Sequence, residues 1–120
     1  MVQVPASLSF TMIPRPGPTE QEPAWSRYLA DRWGGVSEYR TADGSRVDIL
    51  TGSTAWECDW AKKWQEAIGQ AIWYGVVTDR RPGVVLLTRG KPTERLYIAR
   101  AAGACGACGV RFRVVGTRFV

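Results

Sequence analysis

Three acidic residues lie within twelve positions, on two segments that have the pattern of neighbouring β-strands. Asp48 interrupts the apolar run 47–50, while Glu57 and Asp59 alternate with two tryptophans and a cysteine. Because successive side chains of a strand point to opposite faces, Glu57 and Asp59 share a face, and Asp48 on the adjacent strand can join them. Two like charges about 4 Å apart repel by about 4 kcal/mol at an effective dielectric of about 20, so this cluster calls for a cation. Carboxylate oxygens suit Mg²⁺ or Mn²⁺ rather than a soft metal.

Three further polar residues follow at helical spacing. Lys63, Gln70 and Tyr74 are seven and four positions apart, which at about 100° per residue keeps them within about 40° of one another around a helix. This helix begins directly after the strand that carries Glu57 and Asp59, so Lys63 is expected near the acids. A carboxylate-bound metal beside an ammonium group is what phosphodiester hydrolysis requires, because the metal activates water and the lysine stabilises the charged phosphate. Gln70 and Tyr74 would hydrogen-bond a phosphate or order the cluster.

The residues alone leave a structural interpretation open for each of these positions. Asp48 fits a satisfied polar residue at a sheet edge, and Glu57 and Asp59 fit the solvent-facing side of a half-buried strand. Gln70 and Tyr74 have the (i, i+4) spacing of an ordinary surface pair. A functional interpretation therefore depends on whether the fold brings these side chains together.

Hydrophobic periodicity predicts an α/β domain with a three-stranded meander followed by alternating helices and strands. The Asp-Gly turn at 43–44 and the small residues 52–54 favour hairpins. Trp60, Trp64, Ile72 and Trp73 are expected to pack between the central helix and the sheet. Residues 1–21 hold four of the seven prolines and are predicted to form an irregular arm with a short edge strand over 7–12, which leaves 22–120 as one domain. The predicted elements are helix 22–33, strands 36–40, 46–51 and 55–60, helix 61–77, strand 84–88, helix 93–102 and strand 110–116.

The content of histidine and cysteine excludes several classes of mechanism. The chain contains no histidine, which excludes serine and cysteine triads, histidine zinc sites and nucleases with a histidine base. Cys105 and Cys108 form a CxxC pair, but Cys58 is the only other thiol, so a four-ligand zinc site within the chain is not expected. We expect a structural role for the pair, and a thiol-based redox or metal-sensing protein is a third hypothesis.

In their order and spacing, these residues resemble the PD-(D/E)xK nuclease superfamily. The resemblance rests on Asp48, then Glu57, then a lysine, then the pentapeptide QAIWY at 70–74, which matches the QxxxY motif of the RecB-type branch. The phrases GSRVDILT and WECDWAKKWQEAIGQAIWYG also resemble small members of that superfamily, and the resemblance covers about residues 35–87. It implies a restriction-endonuclease-like α/β core of order α-β-β-β-α-β with a further α-β, in which helices flank a central mixed sheet.

The resemblance also implies a function. It is that of a metal-dependent nuclease that hydrolyses DNA phosphodiester bonds, with Mg²⁺ or Mn²⁺ as cofactor. In this pattern Asp48 and Glu57 bind the metal and the backbone carbonyl of Cys58 is a further ligand. Lys63, Gln70 and Tyr74 complete the catalytic set.

One position departs from the family pattern. The family lysine stands two residues after the glutamate, where this chain has Asp59. Some branches supply the lysine from the following helix, and Lys63 is favoured over Lys62, which points about 100° away around the helix. Asp59 is then an additional metal ligand, and Glu38 and Glu22 are further candidates for supporting the site. If no lysine reaches the cluster, the chain is instead a non-catalytic nucleic-acid-binding or interaction module that retains the nuclease fold.

The charge balance fits an anionic partner. The net charge is +5, from 16 basic against 11 acidic residues, and arginines in the second half of the chain would contact the phosphates of DNA. No apolar run approaches the roughly 18 residues of a membrane span, so no membrane contact is expected. The first residues lack a basic segment followed by an apolar one, and we expect a cytoplasmic protein. Many small nucleases of this kind form homodimers, although nothing in the residues indicates one.

Overall fold

The described part of this computed structural model, residues 13–118, is built on one five-stranded mixed sheet with helices on both faces. Its elements follow the predicted order, so the α/β class and the central mixed sheet flanked by helices are confirmed. The edge strand predicted at 7–12 lies outside the described residues. The elements are α1 (Glu22–Arg32), β1 (Val36–Arg40), β2 (Arg46–Leu50), β3 (Thr54–Trp60), a 3₁₀ turn (Ala61–Lys63), α2 (Trp64–Thr78), β4 (Arg81–Thr88), α3 (Glu94–Cys108) and β5 (Arg111–Gly116).

The strands lie in the sheet in the same order as in the chain, from β1 to β5. β1, β2 and β3 form an antiparallel meander, because the short connections 41–45 and 51–53 can join only antiparallel neighbours. Gly44, with a φ of +91°, provides the left-handed residue that the first turn requires. β3, β4 and β5 are parallel, and α2 and α3 connect them. Since these strands succeed one another in one direction, both connecting helices lie on the same face of the sheet.

Each face of the sheet carries its own core. Val85 and Leu87 of β4 pack with buried residues of α1, whereas Val84 and Leu86 pack with α2 and α3 on the other face. β4 is therefore buried on both sides, which explains why its sequence is a continuous apolar run rather than an alternating one. The sheet is thus a rigid support with helical layers on both sides.

Three element boundaries differ from the prediction by more than one residue. The last helix continues to Cys108, since its alanines and glycines extend a helix instead of forming a turn, and Gly109 with a φ of +70° ends it. β4 begins at Arg81 rather than at residue 84, because the segment 81–83 pairs with β3 before the apolar run starts. The predicted first turn of the central helix, Ala61–Lys63, is a 3₁₀ turn.

Two packing expectations for α2 are wrong. Ile72 and Trp73 are 41% and 49% exposed, because the buried face of α2 consists of small residues, chiefly Ala67 and Ala71, that approach the sheet closely. Trp64 packs against the core between α2 and the sheet, as expected. Trp60 instead packs against the core on the α1 face, because it points to the side of β3 opposite Glu57. In the described part of the chain, every helix is too short or too polar to cross a membrane.

Candidate functional site

β2 and β3 separate at Asp48. Their backbone pairing is confined to the positions of Ile49 and Leu50. Beyond these, the backbone N–H of Cys58 donates to Asp48 Oδ2 at 2.8 Å. The carboxylate therefore accepts a hydrogen bond that a strand carbonyl would otherwise take, and the strands open around it. The acid lies where the sheet itself creates a gap.

The gap opens into a cleft of about 480 Å³ that is lined by Glu22 of α1 as well as by Gln70 and Tyr74 of α2. It collects most of the residues singled out from the sequence, although they come from α1, β2, β3 and α2. A larger groove of about 530 Å³ near Trp33 and Arg113 has no carboxylate in its lining. The acidic cleft is lined by Glu22, Arg40, Arg46, Asp48, Glu57, Asp59, Lys63, Glu66, Gln70 and Tyr74.

Glu57 and Asp48 are in direct contact at the floor of the acidic cleft. Burial, followed by the charge of Asp48, raises the pKa of Glu57 to about 10. The pKa of Asp48 is raised by burial as well, although hydrogen bonds from Cys58 and Glu57 act against this rise. The protonated Glu57 carboxyl donates to the Asp48 carboxylate. The pair thus shares one proton in place of the cation that two buried carboxylates require.

Gln70 and Tyr74 both hydrogen-bond Glu57. With its amide oriented so that the nitrogen faces the carboxyl group, Gln70 Nε2 donates to Glu57 Oε1 at 3.1 Å and to Oε2 at 2.5 Å. The Tyr74 hydroxyl donates to the same group. Burial, followed by the nearby charges of Glu57 and Asp48, raises the pKa of Tyr74, so its hydroxyl stays protonated. The helical spacing of Gln70 and Tyr74 therefore places two donors on one acid, and they are in a position to fix its orientation.

Asp59 and Lys63 lie together at the rim of the cleft. Burial raises the pKa of Asp59, whereas the backbone N–H of Trp60 and the ammonium group of Lys63 lower it. The N–H of Trp60 donates to Asp59 Oδ1 at 2.8 Å. Lys62, one residue before Lys63, lines a different cleft. Of the two lysines, Lys63 is thus the one at the acidic cleft, as the sequence predicts.

The two acids held as further candidates are placed differently. Glu22 lines the cleft and accepts a 2.6 Å hydrogen bond from Ser26 Oγ. Burial and the charge of Asp48 raise the pKa of Glu22 to about 7. Glu38 does not line the cleft, and its carboxylate pairs with Arg46 at 3.6 Å and with Arg27 at 3.7 Å. Glu38 is therefore connected to the site only through Arg46.

Sequence reasoning did not identify Arg40, Arg46 and Glu66 as cleft residues. Arg40 and Arg46 face each other next to the turn of the β1–β2 hairpin. The hairpin tip is attached to α2 because Trp73 Nε1 donates to Asp43 Oδ2 at 2.9 Å. An arginine on each side of a predicted Asp-Gly turn was the available signal, but only the three-dimensional fold reveals that this hairpin borders the acids.

The CxxC pair is remote from the acidic cleft and lies in the last turn of α3. Burial, followed by the neighbouring Cys108, raises the pKa of Cys105 to about 11. A reactive thiol requires the opposite shift, and a helix C-terminus disfavours a thiolate. This environment supports a structural role. The Cys58 thiol is buried with α1 on the other face of the sheet, so only its backbone can contribute to the site.

The oxygen donors of the cleft are ligands that suit a hard cation. Within residues 13–118, no three Asp, Glu or Cys side chains form a ready ligand set for a metal ion. Mg²⁺, however, is commonly held by one or two carboxylates with water completing its shell, and Asp48 with Glu57 supplies such a pair. The oxygen donors fit Mg²⁺ or Mn²⁺ and do not fit a thiolate-seeking metal. Comparisons of the chain with protein-family models, with curated proteins and with solved structures found no match, so a functional conclusion rests on the chemistry of the cleft.

Proposed function

We propose that the chain is a Mg²⁺-dependent nuclease that hydrolyses DNA phosphodiester bonds. The observation that carries the proposal is the side-chain contact in one cleft between Glu57, which is buried, and Asp48, which is half-buried. Buried acids with raised pKa values in a cleft are typical of functional sites. A purely structural pair would be replaced at little cost by apolar residues, because burying two like charges opposes folding.

Asp48 and Glu57 would hold the metal, together with the backbone carbonyl of Cys58. When bound there, Mg²⁺ supplies a polarised phosphate oxygen and an activated water. The pair must give up its shared proton for metal to bind, so the affinity for metal is expected to rise with pH. Asp59, at the rim beside Lys63, is the candidate for an additional ligand.

The other residues of the cleft act on the substrate or on the acid pair. Gln70 and Tyr74 hold Glu57 in one orientation, which matters because partners of metal ligands typically contribute about 10- to 100-fold to metal affinity or activity. Lys63 stabilises the negative charge that develops on the phosphate as a water oxygen bonds to phosphorus and the ester bond breaks. Arg40 and Arg46 are suited to bind neighbouring phosphates.

The fold supports the same family assignment. The order α1, β1, β2, β3, α2, β4 around a mixed sheet is the order that the resemblance implies for a restriction-endonuclease-like core. The acids lie on the second and third strands, and Gln70 and Tyr74 lie on the following helix, as in the family pattern. The lysine is the one element that is displaced, from the strand to the turn before the helix.

A second candidate function is a non-catalytic nucleic-acid-binding or interaction module with the nuclease fold. The observation that favours it is Asp59, which occupies the family position of the lysine. Lys63 lies in an exposed turn, where its ammonium group is held less firmly than on a strand. The two candidates differ in whether DNA is cut or only bound.

Cleavage assays separate these candidates. Purified protein is incubated with plasmid, linear duplex and single-stranded DNA in Mg²⁺, in Mn²⁺ and in chelator. Metal-dependent cleavage is expected, and Asp48→Asn and Glu57→Gln should abolish it. Asp79→Asn is the matched control, because Asp79 is an exposed acid outside the cleft. Its backbone is left-handed, a conformation that asparagine also adopts. Cleavage that survives both cleft substitutions contradicts the site, and binding without cleavage in any metal favours the second candidate.

A further inference from the structure

A second, cationic cleft lies on the other side of the turn that carries Lys63. Its volume is about 230 Å³, and it lies between the ends of β3 and β4 and the start of α3. The chain passes directly from one cleft to the other, because Asp59 and Lys63 line the acidic cleft while Trp60 and Lys62 line this one. Its cations are Lys62, Arg89 and Lys91.

The one carboxylate of the cationic cleft is occupied by other groups. Glu94 Oε1 accepts hydrogen bonds from Thr88 Oγ1 at 2.9 Å and from the backbone N–H groups of Arg89 and Lys91 at 3.0 and 2.9 Å. Within residues 13–118, the ion pairs involve only Glu38 and its two arginines. The three cations therefore have no acidic partner in the described chain.

The same hydrogen bonds hold the backbone of the cations in place. The turn 89–91 folds around Glu94, and Gly90, with a φ of +77°, donates its N–H to Thr88 Oγ1 at 3.0 Å. A backbone fixed in this way reduces the ordering that a ligand must impose, which favours binding. The backbone N–H groups of this turn are already used, so a ligand would contact the side chains.

Arg89 is held on an aromatic surface. Its guanidinium carbon lies 3.7 Å from the ring centre of Trp60, which is a cation–π contact. This contact holds the guanidinium group over the ring, and the N–H donors of an arginine match two phosphate oxygens. A preorganised arginine flanked by two lysines is the chemistry that recognises phosphate.

We infer that this cationic cleft binds a phosphate group of a nucleic-acid strand. A neighbouring phosphodiester bond of the same strand would then lie in the acidic cleft. The inference rests on the proposed function for the role of the acidic cleft, but phosphate binding by the cations does not depend on cleavage. An internal phosphodiester and a terminal phosphate offer the same oxygens. The two sources are distinguished by substrates with and without a terminal phosphate.

The test is binding of fluorescently labelled single-stranded DNA, followed by anisotropy in chelator so that nothing is cut. The double substitution Arg89→Gln with Lys91→Gln should weaken binding about tenfold or more, and it should lower the slope of log affinity against log salt by about 1.4, or about 0.7 for each lost contact. The matched control is Arg95→Gln with Arg100→Gln, which removes the same charge from exposed positions of α3 outside both clefts. Thermal melting checks that both variants are folded, and Arg89→Lys with Lys91→Arg should restore binding in large part.

The terminal phosphate is varied in the same assay. If the substitution weakens 5′-phosphorylated DNA more than 5′-hydroxyl DNA, the cleft takes a terminal phosphate, and equal weakening assigns it to an internal one. Both results support the inference. Weakening no greater than that of the control, or no binding of DNA by the unaltered protein, overturns it.

The inference and the proposed function fail in different ways. Metal-dependent cleavage together with binding that ignores the cationic cleft would overturn the inference alone. Binding that depends on Arg89 and Lys91, without cleavage in any metal, would overturn the nuclease proposal alone.

Discussion

Two buried glutamates, one in each cleft, have opposite surroundings. Glu94 is 9% exposed, and one of its oxygens accepts three hydrogen bonds from uncharged donors. Glu57 is 4% exposed and is pressed against a second acid, Asp48. Both are buried carboxyl groups, but Glu94 is satisfied by donors that hold a turn in place, whereas Glu57 contacts another acid with no cation beside it in the described chain. Burial alone therefore does not distinguish a structural acid from a functional one, whereas its partners do.

The largest effect is expected from removing the charge of Glu57. Glu57→Gln should lower the rate of metal-dependent cleavage by about 100-fold or more, because a metal ligand is lost and its partners alone contribute up to about that factor. In chelator near neutral pH, the same variant should unfold at a higher temperature, because an amide is neutral without the proton that Glu57 must take up on folding. Cleavage rates and melting temperatures measured on one preparation check both. A lower melting temperature in chelator would show that Glu57 is a structural acid like Glu94.

The corresponding change in the cationic cleft should have the opposite sign. Glu94→Ala leaves the Thr88 hydroxyl and two backbone N–H groups without their partner and should reduce the free energy of unfolding by about 2 to 3 kcal/mol. Urea unfolding in chelator measures this loss. If Glu94→Ala is as stable as the unaltered protein, the turn 89–91 is held by other contacts and the contrast between the two glutamates does not hold.

The metal-free protein should lose stability as the pH rises. In the folded state the pKa of Glu22 is raised to about 7 and that of Glu57 to about 10, from an ordinary value of 4.5. Between pH 4.5 and the raised pKa of each group, the folded state binds more protons than the unfolded state. The free energy of unfolding therefore falls by about 1.4 kcal/mol per pH unit for each additional proton that the folded state binds. The contribution of these two groups to stability is therefore fully present below about pH 4.5, and it is lost as the pH rises through the raised pKa values. Unfolding curves in chelator that show rising stability from acidic to alkaline pH contradict this expectation, and Glu57→Gln should flatten the dependence.

The smallest effect is expected at the attachment of the hairpin. Trp73→Phe removes the bonds from Nε1 to Asp43 and Ser45 at an exposed site, which should cost only about 0.5 to 1 kcal/mol of stability. Because this hairpin carries Arg40 and Arg46, the substitution should raise KM for DNA a few-fold with little change in kcat. Binding at the cationic cleft should be unaffected. An unchanged KM would mean that the hairpin does not need this attachment to border the acidic cleft.

Local patterns were sufficient to predict much of the fold and of the cleft. Strand alternation places Glu57 and Asp59 on one face, and helical spacing aligns Gln70 with Tyr74, so their convergence is a consequence of short-range geometry. The element order followed from the change in hydrophobic period along the chain. These features depend on residues that are close together in the sequence, so they can be predicted from the sequence alone.

Other features depend on contacts between distant segments. The separation of β2 from β3 at Asp48 arises from a hydrogen bond to Cys58 across the gap, which no local pattern indicates. The same holds for Arg40 and Arg46, which reach the cleft with the hairpin. Trp73 was predicted to be a core residue although it is exposed, because its hydrogen-bond partner, Asp43, lies thirty positions away in the sequence.

The central claim is that Asp48 and Glu57 form a site for a divalent metal, and calorimetric titration of the protein with Mg²⁺ or Mn²⁺ at alkaline pH tests it without relying on activity. One site per chain is predicted for the unaltered protein and for the control Asp79→Asn. Asp48→Asn and Glu57→Gln should each remove that site while leaving the fold intact by circular dichroism. Metal binding of equal strength in all four proteins, or none in the unaltered protein, would contradict the claim.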